Sequence, residues 1–67
     1  MTLSVVIPLY NEEESLSMLV ARLLGSLRPL GELFELVLVD DGSSDRTAEL
    51  LQELSRTTPE LVAVLLR

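Results

Sequence analysis

The 67-residue chain contains no cysteine, no histidine and no lysine. Without cysteine a disulfide staple is impossible, and without cysteine or histidine so is the usual structural zinc site. A cysteine-free composition also suits a reducing compartment. Positive charge is scarce: Lys and Arg together number 5 against 11 acids, a formal net charge of -6. That balance repels phosphate backbones and anionic bilayers, so nucleic acid and membrane surfaces are poor partners. Long apolar runs are missing too, none approaching the roughly 18 residues of a membrane span. Met1 leads directly into a strand-like segment with no basic stretch, so no signal peptide is expected and the chain reads as soluble and cytoplasmic. Length adds a further limit. A domain this small buries only about 60% of its unfolded surface, and one without disulfide or metal leans on a partner for stability.

What is present is a regular alternation. Leu3 to Ile7 reads as a first strand, which Pro8 should end because it has no N–H to donate. An amphipathic helix over about Glu12 to Leu27 follows, with Leu16, Leu19, Val20, Leu23, Leu24 and Leu27 in one stripe at helical period. Asn11 is a natural N-cap for it, Glu14 completes a capping-box-like pair, and Glu12, Glu13 and Glu14 would favour its positive end. Arg28, Pro29 and Gly31 end it. Phe34 to Val39 reads as a second strand. A second helix starts near Ser44 or Asp45, carries Ala48, Leu51 and Leu54 inward with Leu50 at its edge, and closes at Thr57-Thr58-Pro59. Leu61 to Leu66 is a third, wholly apolar strand. The expected fold class is α/β: a three-stranded parallel, Rossmann-like β-α-β-α-β unit with right-handed connections in the order 3-2-1. Both helices then lie on one sheet face, yet the strands are apolar on both. The chain is therefore expected to be the first part of a larger α/β domain, or to pair with another copy of itself through the uncovered face or an edge.

The chemistry concentrates where the second strand ends. Leu36-Val37-Leu38-Val39 runs into Asp40-Asp41-Gly42-Ser43-Ser44-Asp45, and ligand sites in open α/β sheets lie just outside such carboxyl ends. Two adjacent acids repel each other unless a donor-rich or cationic ligand separates their roles. The plainer account has Asp40 capping the turn and Asp41 solvating the loop before Gly42. Ser43, Ser44 and Asp45 read most simply as cap and turn residues. The turn after the first strand, Pro8-Leu9-Tyr10-Asn11-Glu12-Glu13-Glu14, has no glycine and three carboxylates. It is unsuited to cradling a phosphate directly, so dinucleotide and P-loop readings fail. Tyr10 could stack on a nucleobase or simply cover the first helical turn. Glu12 is either a helix-start charge or a ribose or base contact.

Ser4-Val5-Val6-Ile7-Pro8-Leu9-Tyr10-Asn11-Glu12-Glu13, followed by Leu38-Val39-Asp40-Asp41-Gly42-Ser43-Ser44-Asp45-Arg46-Thr47, resembles the opening of family 2 inverting glycosyltransferases. These have the GT-A fold and include dolichyl- and undecaprenyl-phosphate sugar transferases. The resemblance covers essentially the whole chain but only the first quarter or so of such an enzyme. It implies that residues 1–67 are the nucleotide-binding part of the domain and that the ligand is a UDP- or GDP-sugar. Pro8, Tyr10 and Glu12 would then line the base and ribose pocket, with Val39 flanking the base and Asp40 and Asp41 supplying polar contacts. The family's Asp-x-Asp metal motif, catalytic base and acceptor region have no counterpart in these residues. Mg2+ or Mn2+ is thus implied for a full-length enzyme, with no metal and no catalytic residue in this chain and no turnover by it alone. Two rival readings stand beside this one. The first is a non-enzymatic, self-associating α/β module. The second is a response-regulator-like acidic pocket, which lacks the phosphoacceptor Asp and later Lys it would need.

Overall fold

The computed structural model describes residues 3–66; Met1, Thr2 and Arg67 lie outside the described residues. Its elements are β1 (Leu3–Leu9), α1 (Leu16–Leu27), a 3-10 turn (Arg28–Leu30), β2 (Phe34–Asp41), α2 (Thr47–Thr57) and β3 (Leu61–Leu66). The three strands form one parallel sheet in the order β1-β2-β3, with Val5, Ile7 and Leu9 opposite Leu36, Leu38 and Asp40. On the other side of β2, the same three residues face Leu61, Ala63 and Leu65. The expected β-α-β-α-β order and strand neighbours are those observed.

Strand parity decides which side chains are covered. Leu9, Leu38 and Leu61 share a buried cluster with Leu16 and Val20 of α1 and Leu51 of α2, so both helices pack on one face. Leu16, Leu36, Leu38 and Leu51 are completely buried. The helical stripe read from the sequence is the face that does this packing: Leu19 and Leu24 flank the same cluster, with Leu50 and Leu54 from α2. The opposite parity of the strands puts Val6, Val37 and Val62 in one row of the other face and Pro8, Val39 and Val64 in the next. Val6 is 63% exposed and Val62 43%. Only at its amino end is this face closed by a polar contact, the Ser4 hydroxyl donating to Glu35 Oε1 at 2.6 Å.

Four boundaries differ from the sequence expectation. Pro8 does not end β1; it sits within the strand, opposite Val39. β1 is an edge strand, where a missing N–H is tolerated. β2 likewise continues past Val39 through both aspartates. Helix α1 begins at Leu16 rather than near Glu12, with Ser15 in the cap position and no acid in the first turn. Asn11 is not an N-cap: it has φ of +50°, in the left-handed region that asparagine tolerates better than most residues. The amides of Asn11, Glu12 and Glu13 bond to the side chains of Ser43, Thr47 and Asp45 across the sheet edge. Helix α2 starts at Thr47, two or three residues later than expected, because Asp45 turns back to bond the Thr47 N–H.

The core makes a stability contrast. Leu38→Ala should destabilise the chain by about 2–5 kcal/mol, whereas Val6→Ala on the open face should change it by about 0.5 kcal/mol or less. Urea denaturation followed by circular dichroism measures both. Equal losses would mean that the open face is as well packed as the helical one.

Candidate functional site

Parallel pairing of β1 with β2 brings the ends of both strands to one edge, Leu9 lying opposite Asp40. The loops that follow are therefore neighbours, although more than thirty residues separate them in sequence. They are stitched together by side chains. The Asn11 N–H donates to Ser43 Oγ at 2.8 Å, and Asn11 Oδ1 accepts the Ser44 N–H at 2.9 Å. The Glu12 N–H donates to Thr47 Oγ1 at 2.8 Å, and the Glu13 N–H to Asp45 Oδ2 at 3.3 Å. Asp45 Oδ1 in turn accepts both the N–H and the hydroxyl of Thr47. Thr47 is completely buried. Its hydroxyl is used in both directions, accepting from one loop and donating to the other. Partial burial pushes the Asp45 carboxyl up, but the hydrogen bonds from Thr47 and Glu13 outweigh it and hold the group below its ordinary value.

The six residues singled out in the sequence do not converge on one point. Pro8 and Val39 lie side by side on the open face, and Asp41 is exposed further along the same face of β2, opposite Leu66. Asp40 points the other way and is 1% exposed, its Oδ1 accepting the Ser43 N–H at 3.3 Å. Tyr10 directly follows β1 and its side chain is 59% exposed. Glu12 folds back toward α1: its carboxylate accepts the Ser15 hydroxyl at 2.8 Å, and its carbonyl accepts the N–H groups of Ser15 and Leu16. Glu12 and Pro8 also border a shallow cleft of about 320 Å³ between β1 and α1, with Met18 and Arg22 on the far wall. A second hollow, bordered by Gly25, Arg28 and Pro29, lies at the other end of α1, away from this edge.

This edge offers a flat apolar floor, an exposed aromatic ring and an exposed carboxylate acceptor. Among the described residues no group of three or more Asp or Glu comes together. Gly42 makes the reversal after β2 with φ of +71°, a conformation that favours glycine. Sequence reasoning missed Asn11 and Thr47 as bracing residues; it read Ser43, Ser44 and Asp45 as cap and turn residues, and the structure gives each of them a bond across the sheet edge as well. A usable signal was there: four polar residues, Ser43, Ser44, Asp45 and Thr47, are more than one helix start needs, and they follow the strand paired with the β1 strand end.

A three-stranded parallel sheet with both helices on one face, and polar loops at its carboxyl edge, is the first half of a Rossmann-like GT-A unit. Residues 4–67 match the profile of Glycosyl transferase family 2, and the chain belongs to that family. It is 58% identical over 65 residues to the undecaprenyl-phosphate 4-deoxy-4-formamido-L-arabinose transferase of Pectobacterium carotovorum subsp. carotovorum (strain PC1), covering 94% of this chain. Proteins of the same name from Edwardsiella ictaluri (strain 93-146) and Pseudomonas paraeruginosa (strain DSM 24068 / PA7) are 55% and 58% identical over 64 residues. The chain spans about a fifth of the length of these curated relatives, 20% of the first and 19% of the last. No helix among the described residues is long and apolar enough to cross a membrane.

The depressed Asp45 carboxyl fixes a pH dependence. Because it titrates lower in the folded chain than in the unfolded one, its contribution is fully present above the unfolded carboxylate value of about 4 and is lost as pH falls through the folded value. The stability gap between the wild type and Asp45→Asn, measured by urea denaturation, should be constant near neutrality and close below about pH 4. A gap that survives unchanged at lower pH would show that the charge on Asp45 contributes nothing.

Proposed function

We propose that residues 1–67 form the nucleotide-binding part of a glycosyltransferase that moves a sugar from a UDP- or GDP-sugar to an acceptor such as a lipid phosphate or a glycan. The observation that carries this is the carboxyl edge of the sheet: the Pro8 and Val39 side chains form an apolar floor on which a base can lie. Tyr10 stands at its rim and the exposed Asp41 carboxylate would accept a base or ribose donor. In this reading Glu12 borders the ribose side, and Asp40 supports the contact from below by holding the turn that carries Asp41. The relatives, whose name specifies an undecaprenyl-phosphate transferase, support a lipid phosphate as the acceptor. A divalent cation, Mg2+ or Mn2+, belongs in this proposal to the whole enzyme, with ligands from outside these residues. This part is placed on the cytoplasmic side, in keeping with a chain free of cysteine.

The open face adds a partner. Val6, Val62 and Leu66 are exposed among the other apolar residues of that face, and apolar patches beyond a few hundred Å² are rare on soluble monomers. In the isolated chain a second copy is the proposed cover. This same observation supports the rival reading, a self-associating module without ligand.

Calorimetric titration of the chain with UDP and with GDP separates the two readings, since the module predicts no heat for either. Asp41→Ala should weaken nucleotide binding by roughly 1.5 to 3 kcal/mol, against about 0.5 kcal/mol or less of folding stability. Tyr10→Phe should be mild and Tyr10→Ala severe, because ring area supplies most of the contact. If Phe and Ala lose affinity equally, the hydroxyl is the operative group. Light scattering at low micromolar concentration should report a dimer or larger species, and a monodisperse monomer would remove the self-association.

A further inference from the structure

The two loops at the carboxyl edge are joined by contacts that neither loop could make alone. Four backbone amides take part: those of Asn11, Glu12 and Glu13 on one side and Ser44 on the other. Each is bonded to a side chain from across the sheet edge, three in the loop that faces it and one, Thr47, at the start of α2. The side chains that accept them are short, and the central one, Thr47, is completely buried at the first position of α2. Thr47 is thus fixed by the α2 backbone, by Asp45 and by the Glu12 amide at once. Asn11 is fixed from the other loop through both its N–H and its side-chain oxygen, while holding a left-handed backbone conformation. A helix cap explains the Asp45 bond to the Thr47 N–H but not the bonds that cross between the two strand ends. Neither helix has a side-chain hydrogen bond from its cap residue, so these groups are spent on the junction between loops.

We propose that Thr47 and Asn11 are positioning residues that lock the Tyr10–Glu13 segment and the Asp40–Asp45 segment into one platform, and that this locking sets nucleotide affinity without either side chain touching the ligand. The proposal rests on the nucleotide reading above. The physical cause is preorganisation. Tyr10 and Glu12 lie on a loop with no regular secondary structure, and Asp41 lies at the end of a strand. If the junction is open, the Tyr10 loop must be ordered when ligand binds, and that entropy is subtracted from affinity. With the junction closed, the order is already present. Binding and local rigidity are then coupled through groups outside the binding surface.

The test uses Thr47→Val, which keeps the side-chain volume and removes the hydroxyl, Thr47→Ser, which restores it, and Asn11→Gly, which keeps the left-handed backbone accessible and removes the Oδ1 acceptor. Titration with UDP and GDP, corrected for the folded fraction, is paired with amide hydrogen exchange read by NMR. Thr47→Val should lose about tenfold in affinity while Thr47→Ser stays within about twofold of wild type. Asn11→Gly should lose affinity in the same direction. Exchange at the Glu12 and Glu13 amides should accelerate in Thr47→Val while the amides of Leu36 and Leu38 stay protected. Lower melting temperature with unchanged affinity of the folded fraction would overturn the proposal, leaving Thr47 a purely structural residue. So would an affinity loss in Thr47→Val without faster exchange at Glu12 and Glu13. The nucleotide reading fails separately and visibly, if the wild type binds neither UDP nor GDP; the platform's role in affinity falls with it, and the exchange data alone would then describe the loops.

Discussion

Parallel pairing of three strands in chain order is the constraint from which the rest of this structure follows. A parallel neighbour can be reached only by crossing back over a sheet face, and such crossings have one preferred hand. Stepping from β1 to β2 to β3 in one direction places both crossovers on the same side. That side becomes the core, where Leu16, Val20 and Leu51 meet Leu9, Leu38 and Leu61. The other side keeps its apolar rows of valine and has only the Ser4 to Glu35 contact at its amino end. The same pairing delivers the ends of β1 and β2 side by side, so one rule of connection produces the core, the uncovered face and the loop junction together.

Strand alternation then divides the acidic pair that the sequence displays as a unit. Since successive side chains point to opposite faces, Asp40 goes beneath the sheet edge and Asp41 goes to the open face. The buried carboxylate braces the turn through the Ser43 amide, and the other one is exposed. The two carboxylates therefore lie on opposite faces of the sheet rather than side by side. The acids of the preceding loop are handled differently. Glu12 is held by Ser15, and the Glu13 backbone amide, not its carboxylate, is what the opposite loop uses. The segment lacks glycine and is rich in negative charge, and the amides of Asn11, Glu12 and Glu13 are engaged across the junction. That accounts for a tight strand-to-helix passage with no room for a phosphate at its amides.

The elements were legible in the sequence because periodicity is a local consequence of burial. The stripe from Leu16 to Leu27 and the run from Leu61 to Leu66 each reflect one face or one strand packed against the core. The boundaries were less legible, and each failure has a distant cause. Pro8 stays in a strand because that strand is at the sheet edge. The first helix begins at Leu16, after a left-handed Asn11 and a turn whose amides bond to Ser43, Thr47 and Asp45 across the sheet edge. Family membership was also legible, since the two motifs at the strand ends are specific and the match extends over residues 4–67.

By itself, then, the sequence determined the alternation of strands and helices, the parallel sheet, the apolar character of both sheet faces, and the concentration of polar groups at the strand ends. These are one-dimensional signals: hydrophobic period, turn residues and charge. Only the tertiary structure decided which carboxylate of the Asp40-Asp41 pair is buried, that Asn11 joins the two strand-end segments rather than capping a helix, and that Thr47 is part of the same junction. Those outcomes depend on register between strands and on hydrogen bonds between groups more than thirty residues apart. No local pattern encodes such contacts, because a side chain's partner there is chosen by where the neighbouring strand happens to end.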